Sequence, residues 1–161
     1  RKKIVHPRFG NMVYYGENWT AVVPHYRPGR PGVRVEIPGT RKGPNEEELE
    51  RFESLWQRME ELVQSVRPHA LEDLEDAHDA VLGTRDEGLT KSIVERTAGN
   101  PMQLDADWTL SAVSMYSGSR GKHYWCLEFD VSWDEEHQRT AYLDLDGQFL
   151  RYELSCAVVD L

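Results

Sequence analysis

No apolar run in this 161-residue chain approaches the roughly 20 residues that cross a bilayer, and with 29% charged residues a membrane protein is excluded. Cysteine is scarce. Cys126 and Cys156 fall in predicted strands far apart, without Cys-x-x-Cys or Cys/His spacing, so neither a zinc site nor a redox pair is expected and the thiols should be reduced. The first residues, Arg1-Lys2-Lys3-Ile4-Val5-His6-Pro7, lack the apolar core of a secretion signal, and a cytoplasmic protein is the expectation. Familiar catalytic spacings are missing too. There is no Gly-x-Ser-x-Gly turn and no His-Glu-x-x-His helix, and Ser117-Gly118-Ser119-Arg120-Gly121-Lys122 has glycines and positive charge without P-loop spacing. His6, His25, His69, His78 and His123 are scattered singly and read as structural or exposed. No cofactor is expected. Without a low-complexity linker or repeat, residues 1–161 read as one domain.

What the chain does have is acid, unevenly placed. Its formal charge of −9 divides into +7 over residues 1–43, −9 over 44–82 and −7 over 83–161. Such a field repels phosphate and argues against a nucleic-acid partner, while it suits steered association with a basic protein.

Hydrophobic patterning sets out an α+β fold. Short strand-like runs, Asn11 to Tyr15, Trp19 to Tyr26 and Val33 to Ile37, are separated by turn residues, and Val33, Val35 and Ile37 alternate with Arg34 and Glu36. This N-terminal β part spans about residues 9–38. Over about 45–98 the pattern turns helical. Asn45 reads as an N-cap with Glu48 placed to reach back, and Leu49, Phe52, Leu55, Trp56, Met59, Leu62, Val63 and Val66 form an apolar stripe. Arg67-Pro68 predicts an interruption, with a second helix starting there, Leu71, Leu74, Ala77 or His78 and Val81 inward, and Gly83 as its stop. A short third helix is expected from Thr90 to Arg96. A C-terminal β part, about 106–157, holds Trp108 to Tyr116, His123 to Trp133 and a hairpin from Arg139 to Cys156. In its middle strand Trp125, Leu127, Phe129, Val131 and Trp133 share one face and Tyr124, Cys126, Glu128, Asp130 and Ser132 the other. The expectation is a single domain of antiparallel sheet packed on two main amphipathic helices.

Two acidic segments carry the candidate chemistry. Glu72, Asp73, Glu75, Asp76 and Asp79 occupy the outer side of the second helix, and Trp133-Asp134-Glu135-Glu136-His137 closes the strongest strand. Carboxylates beside an imidazole could hold a divalent metal or move protons, provided the side chains converge. Asp144-Leu145-Asp146-Gly147 resembles the start of a calcium loop, but Phe149, Leu150 and Tyr152 follow where oxygen ligands are required. A tight hairpin with positive φ at Asp146 and Gly147 is the better reading.

Two blocks resemble a known group. His6-Pro7-Arg8-Phe9-Gly10 leads through Tyr14 to Trp19, and Leu127 to Val131 leads into Trp133-Asp134-Glu135-Glu136-His137 and a closing hairpin. Together they resemble uncharacterised bacterial α+β domains, some of them immunity-type proteins of toxin loci. In that group a glycine commonly follows the Glu-His pair, whereas Gln138 stands here. The resemblance transfers no catalytic residues and implies a small binding protein, with toxin neutralisation as one use. The expected function is therefore non-enzymatic protein binding, possible partners including a basic toxin, through Glu72, Asp73, Glu75, Asp76, Trp133, Asp134, Glu135, Glu136 and His137. Two alternatives stand beside it: a metal-dependent enzyme using Asp134, Glu136 and His137 with Glu128 or Asp130, and a structural module of a larger assembly.

Overall fold

The alternation at Val33, Val35 and Ile37 is realised directly: in the computed structural model, which describes residues 1–117 and 121–155, all three are buried in one strand and Arg34 between them is exposed. That strand is β4 (Val33–Thr40). It follows β1 (Lys3–His6), β2 (Gly10–Tyr15) and β3 (Asn18–Val23), each antiparallel to its predecessor. A two-residue strand, β5 (Gly43–Pro44), folds back on the end of β4. Three helices then intervene, α1 (Glu46–Gln57), α2 (Met59–Val81) and α3 (Glu87–Thr97), with a 3-10 turn at Pro101–Leu104. The chain returns to the sheet as β6 (Trp108–Ser117), β7 (His123–Val131), β8 (Arg139–Leu143) and β9 (Phe149–Leu154).

The two β parts form one sheet, with strands in the order β1-β2-β3-β4-β6-β7-β8-β9. The α+β single-domain reading holds, but the sheet is mixed. β4 and β6 run parallel, in the register Arg34 to Ala112, Val35 to Val113 and Glu36 to Ser114, while the other pairs are antiparallel. The helical segment is the cause: it carries the chain back along the sheet, so the strand after it runs in the direction of the strand before it.

The apolar stripe of α1 and α2 closes over the inner sheet face. Leu49, Phe52, Leu55, Met59, Leu62, Val63 and Val66 share one core with Trp19, Ile37, Val113, Trp125, Leu127 and Phe129. Phe52 sits 5.4 Å from Phe9 and 6.2 Å from Trp125, ring centre to ring centre, tying the helix to both halves of the sheet. Burial of side chains of this size contributes about 1.5–3 kcal/mol each.

Several local expectations are corrected. Pro68 lies inside α2, and the helical break falls ten residues earlier at Arg58. Proline removes the bond to the carbonyl four residues back. Burial of Val63, Val66, Arg67, Ala70 and Leu74 along the same helix overrides that loss. Asn45 caps α1 as expected, its side chain accepting from the amides of Glu47 and Glu48, but its own amide donates to Pro38 O at 2.8 Å and not to Glu48. β1 precedes the expected start of the N-terminal β part. Between β8 and β9 only Gly147 takes a positive φ, and Asp144 Oδ1 accepts from the amides of Asp146 and Gln148 instead. Cys126 is a free, buried thiol. Cys156 lies outside the described residues, as do Gly118, Ser119 and Arg120 of the glycine-rich loop.

Candidate functional site

β8 begins with an arginine at a core-facing position. Arg139 lies opposite Phe129 and in phase with Ala141 and Leu143, and it is 4% exposed. A guanidinium taken out of water needs acceptors on several sides. They come from the two acidic segments. Its Nε donates to Asp73 Oδ2 at 2.8 Å, and one terminal nitrogen donates to Asp134 Oδ2 and to His137 O, both at 3.0 Å. The indole of Trp133 donates to the same Asp73 oxygen at 3.0 Å.

Asp134 organises the turn that follows β7. Its Oδ1 accepts from the amides of Glu136 and His137 and lies 3.2 Å from His137 Nδ1. Partial burial acts to raise its carboxyl, but the bonds from Arg139 and His137 outweigh that and hold it below the usual range. Burial acts to lower the Arg139 guanidinium, and the Asp73 and Asp134 carboxylates reverse the effect.

Of the nine residues expected to contact a partner, the structure thus brings Asp73, Trp133, Asp134 and His137 together and engages them internally. Glu72, Glu75, Asp76, Glu135 and Glu136 remain exposed. Asp73 and Asp134 meet on one guanidinium, which brings α2 beside the β7–β8 turn. A groove between α2 and β9 is lined by Glu72, Asp76 and Glu153, with His69 stacked on Phe149 at 4.1 Å. Glu72 and Asp76 lie on the side of α2 that lines this groove with Asp73, whereas Glu75, two residues on from Asp73, faces away from it.

The carboxylates named for metal chemistry are dispersed. Glu128 accepts from Arg34 at 3.2 Å, and its burial raises the carboxyl against that pairing. Asp130 accepts from Gln138. Glu136 points to solvent. Among the described residues no group of three or more His, Cys, Asp or Glu is arranged to hold a metal ion. Burial pushes the Cys126 thiol up to about 12, with Glu128 adding to the effect, so it is a poor nucleophile.

A second charged cluster was not anticipated. Arg67 is 1% exposed and its ring-facing guanidinium lies 5.4 Å from the Trp108 centroid. It pairs with Asp105 and donates to Pro101 O at 3.2 Å. Arg27 bridges Asp105 at 2.6 Å and Glu60 at 2.9 Å. The signal for Arg67 lay in spacing, since it falls between Val63 and Leu74 on the inward stripe; Arg139 likewise keeps the phase of Ala141 and Leu143.

Comparison with known families matches residues 8–138 to one described as a domain of unknown function (DUF6985). Comparison with curated proteins and with solved structures gave no match.

Proposed function

We propose that this chain, which belongs to the DUF6985 family, is a non-enzymatic protein-binding domain that engages a basic partner through the acidic flank of α2 and the β7–β8 turn. The observation that supports this reading is the shared anchoring of Asp73 and Asp134 on Arg139, which joins the two acidic segments that carry the exposed Glu72, Glu75 and Asp76 and the exposed Glu135 and Glu136. Acids whose backbone is held in place steer a cationic surface at a distance. Neutralisation of a bacterial toxin with a basic active surface is the use we assign to it, on the strength of the sequence resemblance. The partner is a protein, and no catalytic group is required of this chain.

The test is capture from the native lysate by the intact domain and by two charge-reversed variants, Glu72→Lys/Glu75→Lys/Asp76→Lys and Glu135→Lys/Glu136→Lys, each at low and moderate salt. A basic protein retained by the unaltered chain, weakened by salt and lost with either variant, supports the reading. A partner held equally by all three chains overturns the assignment of the surface.

A further inference from the structure

The cleft beside Arg67 has a buried donor that no group among the described residues satisfies. It lies between the β3–β4 loop, α2 and the start of β6, lined by His25, Tyr26, Arg27, Arg30, Arg67 and Trp108 among others. The cleft as a whole encloses room for one water-sized group and otherwise opens to solvent. Arg67 lines this space, 1% exposed, and its Nε–H is shut off from solvent without an acceptor among the described residues. Such a donor costs about 1–3 kcal/mol when left unpaired, more when charged.

The local charges do not cancel. Glu60 is taken by Arg27, and the two oxygens of Asp105 are divided between Arg27 and Arg67. Arg30 is partly buried on the same cleft and has no hydrogen bond or ion pair among the described residues. Three arginines thus face two carboxylates, leaving one positive charge. Burial, and after it the Arg30 charge, lower the His25 imidazole. In a chain of net charge −9, a partly enclosed cleft of this sign is a local reversal.

We propose that the cleft is a binding site for a small oxyanion, a carboxylate or phosphate group, with one oxygen on the floor against Arg67 Nε–H and a second at the mouth against the Arg30 guanidinium. One oxygen fits where a whole anion would not, and the forked donors of two arginines suit the geometry of either group. Arg27, already saturated by its two carboxylates, positions the cleft wall and is not a ligand. The site goes beyond the acidic-flank reading and does not depend on it.

The experiment follows the buried Arg67 Nε–H resonance in a ¹H–¹⁵N spectrum of the full chain, titrated separately with acetate and with inorganic phosphate at constant ionic strength. Arg67→Gln identifies the resonance, and Arg30→Gln, a change on a partly exposed side chain, tests the second contact. A saturable shift with either anion, weakened at least tenfold by Arg30→Gln, is the expected result. Saturation by acetate alone points to a carboxylate such as a peptide terminus, and by phosphate alone to a phosphoryl group. No shift with either anion overturns the proposal, and a magnetisation-transfer peak to a bound water would then show a lone solvent molecule on the floor. Equal affinity with and without the Arg30 side chain also overturns it.

Discussion

Replacing Arg139 by Met is the sharpest perturbation of the anchored flank. Methionine keeps an unbranched apolar stem but removes three donated bonds. Among the described residues Asp73 would keep only the Trp133 indole, Asp134 Oδ2 would lose its partner, and the His137 carbonyl would lose its donor. Breaking a fully buried pair from one side costs about 3–5 kcal/mol. Here the Asp73 and Asp134 side chains are 25% and 24% exposed, so water reaches both carboxylates. The expected loss is therefore about 2–3 kcal/mol, or about 5–10 °C in Tm for a domain of this size. Urea unfolding followed by circular dichroism measures it. Arg139→Lys should recover only part, because an ammonium cannot span both acids as the planar fork does. A double-mutant cycle with Asp73→Asn should give a coupling of about 1–2 kcal/mol. A loss below about 0.5 kcal/mol with an additive cycle would refute the reasoning. The two acidic segments would then meet without being held.

Two further outcomes follow from other parts of the fold. Glu60 is lowered to about 2, chiefly by its bond from Arg27, so its contribution is complete above the ordinary carboxylate value of 4.5 and is lost as pH falls from there toward 2. Tm measured across that window should fall less steeply for Arg27→Gln than for the unaltered chain; parallel curves would contradict the pairing. Gly39→Ala should destabilise by about 1–3 kcal/mol through overpacking, because an added Cβ would stand 2.6 Å from Gly43 O and 2.9 Å from Trp19 Cδ1; an unchanged urea midpoint would show that the β4–β5 corner yields freely.

Short-range periodicity made much of this fold legible. The α1 stripe declared itself because side chains three and four residues apart share a helix face, and β4 and β7 because alternate residues share a sheet face. Contacts between distant segments left no such pattern. Pro68 reads locally as a break, yet Val66, Ala70 and Leu74 bury the helix on both sides of it. β1 escaped notice because only Ile4 and His6 turn inward from it, both half-covered. The acids of the site were plain in the sequence, but their meeting place was not: Arg139 and Asp73 are separated by 66 residues. The core-facing phase of Arg139 was visible, whereas its partners depended on how α2 crosses the sheet.

The parallel seam between β4 and β6 bears on how the molecule is assembled. Every other strand in the sheet's main path finds its neighbour across a hairpin or short loop, and such closures are rapid and local. The seam alone joins residues 34–36 to residues 112–114, after the whole helical segment has been traversed. Until that closure, the unfinished chain presents two raw inner edges, β4 and β6, each able to accept a strand from a stranger. The crossover helices link the two edges within one chain, so that each edge has its partner tethered to it at a high effective concentration.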